Sequence, residues 1–409
     1  MNNSVKLWSL LFIVLLVIPL IISIYTNFWG ISAISVGLLF GFALQKGDLC
    51  GSSSMSEVLL FKDYSKIFGL WVAIVSSMVF FAILQLLGVV ELAPKKFIWL
   101  NALVGGFVFG FGTVLAGGCI SGCLYKASAG NINSFVALLT IPIGIAAVDY
   151  GFLKPLQDYL LQFVINHPDG KPLTLYSVLG VPYWVLVILF VIITIWLGYL
   201  LKKKVKENQI KLSKEGNSIT RFITRPWKPW QSGIAIGIIG MLAWLSSLPT
   251  GRNYPLGVTH GVSYLFQVVV EKNVQVVTGK PKPVVQIQQT SQPFQTAESK
   301  PQFQSQPQPR KINFWLMMLI VGLLIGSFLS SKITNNFKLL PKPPEQIIIS
   351  GIGGFIVGVG AGIGTGCVIG NIISGWAMMS LSMFIFGVMT LLGNWLATYL
   401  YLIGPRRAK

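Results

Sequence analysis

The sequence predicts an all-α polytopic membrane protein, because of its composition and a recurring pattern of apolar runs. Of its 409 residues, 53% are hydrophobic and only 11% are charged, whereas soluble domains carry about a quarter charged residues. Runs of roughly 20 apolar residues, enough to cross about 30 Å of hydrocarbon, recur along the chain. We expect about six full membrane spans and four interrupted ones.

Six uninterrupted apolar runs predict the full spans. The first run is too long for a signal peptide and is followed by no small-residue cleavage site, so we expect a retained helix. The six predicted spans are residues 7–25, 66–90, 133–153, 178–201, 312–331 and 377–402.

Four further segments share an internal pattern that predicts re-entrant, helix-loop-short helix elements in pseudo-symmetric inverted repeats. Each has glycine at its first and fifth positions and a thiol or hydroxyl thirteen residues after the first glycine. Glycine at this spacing alone indicates close helix packing in lipid, whereas three rare cysteines in one register indicate a repeat. The segments start at Gly37, Gly106, Gly233 and Gly354 and carry Cys50, Cys119, Ser246 and Cys367 at that position.

The breaks in these segments are expected to meet at the centre of the protein. About 14 helical residues rise roughly 20 Å, which ends near the membrane middle. Non-helical backbone at that depth is tolerated only inside protein or beside a water-filled cavity. Transporters arrange binding sites at such breaks.

Composition divides the chain into five parts. The Gln- and Pro-rich part cannot bury a core and is predicted to be a disordered loop. The parts are 1–201, the first transmembrane half around Cys50 and Cys119; 202–228, a basic cytoplasmic loop; 229–279, the third repeat around Ser246; 280–311, the disordered loop; and 312–409, the last transmembrane part around Cys367.

The net charge of +19 is concentrated in loops, and residues 202–228 hold nine basic and two acidic residues. Because lysine and arginine collect in cytoplasmic loops, we place this part, both termini and residues 280–311 on the cytoplasmic side of the membrane. The same topology puts the three lysines of residues 332–342 outside. The positive charge favours contact with anionic lipid over nucleic-acid binding.

With each interrupted segment entering and returning on one side, the topology assigns the breaks to two entrances. Cys50 and Cys367 then lie on loops entering from outside, and Cys119 and Ser246 on loops entering from inside. Thiols stacked along this axis would pass a ligand inward.

The breaks carry groups suited to a small sulfur-containing anion. A new short helix presents unpaired N–H groups and partial positive charge, and a thiol is a weak donor and a polarizable partner. We predict that Cys50, Cys119 and Cys367 bind the substrate in relay. Accessory candidates are Cys123, Ser246, Arg252, Lys46, Lys126 and Asn371.

Several of these accessory candidates also have an ordinary structural interpretation. Cys123 has no counterpart in the other segments and is equally suited to packing. Lys46 and Lys126 could simply extend to the lipid headgroups. Arg252, in an irregular stretch between Pro249 and Pro255, is the stronger cation candidate.

No cofactor is predicted. The chain has two histidines and no cysteine pairs at zinc spacing. It has no phosphate-binding G-x-x-x-x-G-K-[ST] loop, so ATP is not the expected energy source.

The motifs GFALQKGDLCG, GFGTVLAGGCISG and GVGAGIGTGCVIGN resemble those of the YeeE/YedE family of sulfur-transport membrane proteins. The resemblance implies a non-enzymatic permease that takes up thiosulfate across the inner membrane through an hourglass-shaped protein. It also implies that Cys50, Cys119 and Cys367 hydrogen-bond thiosulfate in turn, and that a small cytosolic TusA-like sulfur carrier is a partner.

The substrate stays open between thiosulfate and selenium or other sulfur species, because members resembling YedE are associated with selenium metabolism. A membrane sulfurtransferase carrying a cysteine persulfide is less favoured. It would need a base beside the thiol, and the sequence supplies none near the three cysteines.

Overall fold

A computed structural model describes residues 3–165, 172–205, 224–270, 274–277, 310–339 and 342–404 of the chain. Within this part, ten helical segments are long and apolar enough to cross a membrane. The prediction of an all-α polytopic membrane protein is confirmed.

The helices follow the predicted segments closely. The single-helix spans are α1 (Asn3–Thr26), α4 (Ser65–Leu86), α7 (Ile132–Asp149), α10 (Tyr183–Val205), α13 (Phe314–Ile333) and α16 (Leu381–Ala397). The interrupted segments are α2 and α3 (Ser32–Gly47, Gly51–Phe61), α5 and α6 (Trp99–Leu115, Ile120–Ser128), α11 and α12 (Pro229–Ser247, Thr259–Val270), and α14 and α15 (Pro344–Ile363, Val368–Ala377).

Short elements connect these helices. These elements are α8 (Lys154–Leu160), α9 (Leu175–Leu179), β1 (Phe97–Ile98), β2 (Val164–Ile165), β3 (Val274–Val277) and β4 (Arg310–Asn313). Strands β1 and β2 pair antiparallel over two residues, and β3 pairs with β4 in parallel over four residues.

Each interrupted segment packs its long helix along one continuous span: α2 on α13, α5 on α16, α11 on α4 and α14 on α7. Glycines allow the backbones to touch. A side-chain carbon at Gly41 would collide with the carbonyl oxygen of Leu323, and one at Gly326 with that of Leu38. The repeated glycines therefore contact partner helices, as small residues do in membrane bundles.

The paired helices run in the same direction. Gly37 of α2 faces Leu319 of α13, and Gly41, one turn later, faces Leu323 and Ser327. Helix α2 therefore leads from the end of the bundle where α13 begins to the end where α13 finishes.

We call the end of the bundle where α10 finishes and α11 begins the basic end, since residues 202–228 join these two helices. Helix α2 finishes there, because the backbone N–H of Trp227, just before α11, donates to the carbonyl of Lys46 at 2.9 Å. The interrupted α2–α3 segment thus connects opposite ends of the bundle, whereas we expected it to return to its entry side.

The beginning of α1 and the end of α16 lie at the basic end. The cytoplasmic placement of the two termini stays a prediction. Trp8 of α1 contacts Phe328, near the last turn of α13, with ring centroids 6.1 Å apart. Trp395, near the end of α16, donates to the carbonyl of Met55 in α3 at 3.1 Å.

The connection between α13 and α14 was expected opposite residues 202–228 and lies instead at the basic end. There the backbone N–H of Lys338 donates to the carbonyl of Ala129, directly after α6, at 3.2 Å. The physical reason is that each interrupted segment connects opposite ends of the bundle. Lysines 332 and 338 therefore lie with the other basic loops, which agrees with the tendency of such loops to share a side.

The Gln- and Pro-rich loop was expected at the basic end, and its described flanks lie at the opposite end. Strand β4 leads directly into α13, whose first residue, Phe314, contacts Phe28 after α1 with ring centroids 5.5 Å apart. Of residues 280–311, which were predicted to be disordered, residues 280–309 lie outside the described residues, and residues 310 and 311 belong to β4.

The long helices of the interrupted segments form two oppositely directed pairs. Gly105 of α5 faces Gly364 after α14, and Gly112, two turns later, faces Val357 earlier in α14. Helices α2 and α5 run toward the basic end, while α11 and α14 run away from it. Inverted repeats would have this feature, and the symmetry itself stays a prediction.

Helices α1 and α10 lie at the periphery and present large apolar side chains outward. Exposed examples include Leu10, Ile13, Ile195 and Trp196. A contiguous apolar surface of this kind marks contact with an apolar environment, which is the expected property of lipid-facing helices. The buried core and the breaks lie inside this layer.

Candidate functional site

The three cysteines of the shared register occupy the same structural position. Each is the residue directly before the short helix that follows its break. Each carbonyl accepts the N–H four residues later, at 2.9, 2.7 and 2.7 Å for Cys50, Cys119 and Cys367. The thiols therefore stand beside the first N–H groups of a helix, where backbone donors and partial positive charge are available to an anion.

A residue in the left-handed conformation turns the chain two positions before each cysteine. These residues are Asp48 (φ 45°), Gly117 (φ 73°) and Thr365 (φ 51°). Two of the three are not glycine, and left-handed backbone costs energy for other side chains. The repeated turn makes the break a built feature common to the first, second and fourth segments.

The first and second breaks lie side by side. The Sγ atoms of Cys50 and Cys119 are 3.8 Å apart, and Cys119 Sγ is 3.4 Å from Ser121 Oγ. A side-chain carbon at Gly122 would collide with Cys50 Sγ. The absence of a side chain at this position is what makes room for the pair of thiols.

The fourth break packs against the first in the protein interior. Val368, next to Cys367, packs over Gly51, next to Cys50, so closely that a Cβ at Gly51 would lie 2.6 Å from a Val368 methyl group. The thiols of Cys50, Cys119 and Cys367 are all buried. The structure thus gathers residues from three separate breaks, as expected.

The grouping of the breaks differs from the predicted one. Cys50 and Cys367 were expected at one entrance with Cys119 at the other, whereas Cys50 and Cys119 form the pair. Cys367 lies on the side of the third break. The reason is again the direction of the long helices, since α2 and α5 finish toward the same end.

Ser246 does not occupy the position of the cysteines. Helix α11 continues past it to Ser247, and its hydroxyl donates to the carbonyl of Ala243 at 3.1 Å within the helix. In the other segments the left-handed residue lies two positions before the register position, whereas here it is Gly251, five positions after Ser246.

Cys123 and the two predicted lysines form local contacts. Cys123 Sγ donates to the carbonyl of Gly118 at 3.5 Å, a packing contact within the second break. Lys126 Nζ donates to the carbonyl of Gly117 at 2.8 Å. Lys46 is buried and donates to the carbonyl of Arg225, before α11, at 3.1 Å.

A polar cluster joins the first two breaks at the basic end and was not anticipated. Asp48 accepts a hydrogen bond from the Tyr125 hydroxyl at 2.8 Å and forms an ion pair with Lys66 at 2.6 Å. Lys66 also pairs with Glu57 at 2.6 Å. The sequence showed Lys46 as the neighbour of Asp48, but folding brings the more distant Lys66 and Tyr125 to its carboxylate.

Two cations lie near the fourth break. Arg252 was predicted, and Lys95, in the loop between α4 and α5, was missed because the partners to which its side chain donates are 270 or more positions away. Lys95 Nζ donates to the carbonyl of Thr365 at 2.6 Å and to Asn371 Oδ1 at 2.8 Å. The amide of Asn371, one of the predicted accessory residues, in turn donates to the carbonyl of Gly364 at 2.8 Å. Asn371 therefore stabilises the fourth break.

Both cations lie in loops between the helices. Burial lowers the pKa of Lys95, in the loop between α4 and α5, to about 8. The guanidinium of arginine stays protonated in proteins, so Arg252 also carries a positive charge. They supply a positive potential on the Cys367 side of the thiols.

A bundle of membrane spans whose broken helices bring thiols and cations together inside has the architecture of a membrane transporter for small anions. The chain belongs to the family described as "Sulphur transport", whose sequence pattern matches residues 46–396. This confirms the resemblance to YeeE/YedE proteins.

Similar proteins support a transporter rather than an enzyme. The thiosulfate transporter TsuA of Escherichia coli (strain K12) is 28% identical over 379 residues, covering 92% of this chain and 96% of that protein. TsuA of Spirochaeta thermophila is 28% identical over 370 residues, covering 88% and 95%. The probable transporter YedE of Salmonella typhimurium is 32% identical over 124 residues, covering 29% of each chain.

Proposed function

We propose that this protein imports thiosulfate, or a similar small sulfur-containing anion, across the inner membrane. The observation that carries the proposal is the 3.8 Å approach of Cys50 and Cys119 from separate breaks, with the break of Cys367 packed against that of Cys50. The names of the two relatives that cover most of the chain support thiosulfate as the substrate.

The thiols suit this substrate for a physical reason. The terminal sulfur of thiosulfate is soft, and a polarizable S–H group is a weak donor that holds it without binding it tightly. Backbone N–H groups at the helix starts donate hydrogen bonds to the negatively charged oxygens of the ion. Weak binding at several sites allows the ion to leave each one, as conduction requires.

The direction of the relay follows from the charges of the loops. Loops rich in lysine and arginine stay in the cytoplasm, so the basic end is the inner face. The ion would then enter beside Arg252 and Lys95, meet Cys367, pass to Cys50 and Cys119, and leave past Lys126. This order replaces the one expected from sequence, because the thiol pair lies nearer the basic end.

The remaining parts of the proposal concern energy and partners. A TusA-like sulfur carrier at the basic end would consume thiosulfate on arrival and so favour net import. The apolar periphery and the basic loops would contact membrane lipid. Ser246, Cys123 and Lys46 play at most accessory roles, given their local contacts.

Uptake of radiolabelled thiosulfate into cells that lack their own importers tests the function. We expect uptake that depends on this protein, strong competition by unlabelled thiosulfate and little labelled sulfate accumulation. Preferential uptake of selenite would indicate that the substrate is a selenium species and not thiosulfate. No protein-dependent uptake of either ion would contradict the proposal.

A further inference from the structure

A buried asparagine of α16 lies beside the first two breaks and has no part in the relay described above. Asn394 is 0% exposed, and an amide inside a membrane-spanning bundle is costly unless it is hydrogen-bonded. The residues that bond its side chain lie 281 or more positions earlier in the chain. Nothing near Asn394 in the sequence therefore marks it, and its role follows from its contacts.

The amide nitrogen of Asn394 reaches both breaks. It donates to Thr113 Oγ1 at 3.2 Å, to Ser52 Oγ at 3.3 Å and to the carbonyl of Ser52 at 3.4 Å. Ser52 belongs to the first turn of α3, which follows Cys50. Thr113 belongs to the last turn of α5, just before the break that contains Cys119. One side chain of α16 thus bonds the helix after the first break and the helix before the second.

Ser52 and Thr113 also connect the two breaks directly. Ser52 Oγ donates to the carbonyl of Thr113 at 3.1 Å. The same carbonyl accepts the backbone N–H of Gly118, the neighbour of Cys119, at 2.9 Å. A single oxygen therefore receives one donor from each break, and Asn394 bonds both residues that form this link.

The remaining bonds fix the orientation of the amide. Ser56 Oγ donates to Asn394 Oδ1 at 3.0 Å and itself accepts from Thr398 Oγ1 at 3.2 Å. On the other side, the carbonyl of Ser52 can only accept, so the amide nitrogen must face it. A buried polar network whose members are all bonded makes its surroundings rigid.

We propose that Asn394 is a positioning residue that fixes the distance between the thiols of Cys50 and Cys119. It acts through Ser52 and Thr113, which hold the two breaks together. The consequence for transport rests on the proposed function: when the network is lost, the two sulfur atoms leave their 3.8 Å approach and the ion passes between them more slowly.

The rate of oxidative cross-linking between Cys50 and Cys119 tests this role in the full-length chain in native membranes. Only these two cysteines are kept (Cys123→Ala, Cys367→Ala). Asn394→Leu is added because leucine has the same branching as asparagine and no hydrogen-bonding group. We expect the linked peptide to form about fivefold more slowly, the effect of roughly one net hydrogen bond. A smaller amount of folded protein would lower the final yield but not this rate constant.

Thr390→Val is the matched control on the same helix, about one turn before Asn394. The Thr390 hydroxyl is buried and donates to the carbonyl of Phe386 within α16 at 2.8 Å. Its loss is expected to leave the cross-linking rate unchanged. Ser52→Ala removes the direct link between the breaks, is expected to slow cross-linking as well, and decides the question if Asn394→Leu does not accumulate in the membrane.

A wild-type cross-linking rate in Asn394→Leu, or in Ser52→Ala where Asn394→Leu is absent, would overturn the positioning role. An equal slowing in Thr390→Val would overturn it too, because the effect would then come from any change in α16. Cross-linking is measured without transport, so its outcome is separate from the proposed function. Slower cross-linking in Asn394→Leu, together with no thiosulfate uptake by the wild type, would keep the positioning role and reject import.

Discussion

Replacing Cys119 by alanine is expected to abolish most thiosulfate uptake. Its thiol lies 3.8 Å from that of Cys50 and beside the first N–H groups of α6, so its loss removes one stage of the relay. A hydrogen bond to a charged group contributes roughly 1.5–3 kcal/mol. Uptake should fall by on the order of 10- to 100-fold, measured as initial rates of labelled uptake at equal protein amounts.

Cys123→Ala is the matched control, since it removes a thiol one helical turn away. Cys123 bonds only the local carbonyls of Gly118 and Ala116 in the described structure. We expect its uptake rate to stay near that of the wild type. Normal uptake by Cys119→Ala would contradict the relay, and so would equal losses in the two variants.

Replacing Gly122 by alanine is expected to block the path without removing a thiol. The added methyl group would collide with Cys50 Sγ and also contact Cys119 Sγ at 3.5 Å. Overpacking of this kind costs about 1–3 kcal/mol. Added to the free-energy barrier for transport, this cost lowers uptake by roughly 5- to 150-fold.

A buried glycine at which an alanine fits supplies the comparison for Gly122→Ala. At Gly240 in α11 the nearest atom to an added Cβ is Ser77 Oγ, at an ordinary 3.7 Å. Gly240→Ala should therefore keep wild-type uptake. Both variants are checked for folded protein by size-exclusion chromatography. A folded Gly122→Ala with full uptake would show that ions do not pass between these two thiols.

The helices and their breaks could be predicted from local sequence because their signals are local. An apolar run of span length identifies a span, and the glycine register identified the interrupted helices. The positions of Cys50, Cys119 and Cys367 before short helices also follow from nearby residues. Ser246 deviates because α11 continues to Ser247, and nothing in the spacing indicates that extra turn.

The grouping of the breaks could not be predicted, because it depends on helix direction. A segment that returns and one that connects both ends of the bundle have the same glycines and thiols. The choice is fixed by tertiary contacts such as that between Trp227 and Lys46. Lys95 was missed for the same reason, since its partners Thr365 and Asn371 belong to the last quarter of the chain.

The central claim, that thiols from separate breaks face one passage, is tested most directly by oxidative cross-linking in native membranes. A variant with only Cys50 and Cys119 (Cys123→Ala, Cys367→Ala) is treated with a mild thiol oxidant and digested for mass spectrometry. Closing 3.8 Å to the roughly 2 Å of a disulfide needs only a small shift.

We predict a Cys50–Cys119 linked peptide whose formation is slowed by thiosulfate. A variant that keeps only Cys123 and Cys367 serves as the control and is expected to give no linked peptide. Thiols that stay free and unlinked at Cys50 and Cys119 would contradict the account. A linked peptide that forms equally fast with and without thiosulfate would contradict it as well.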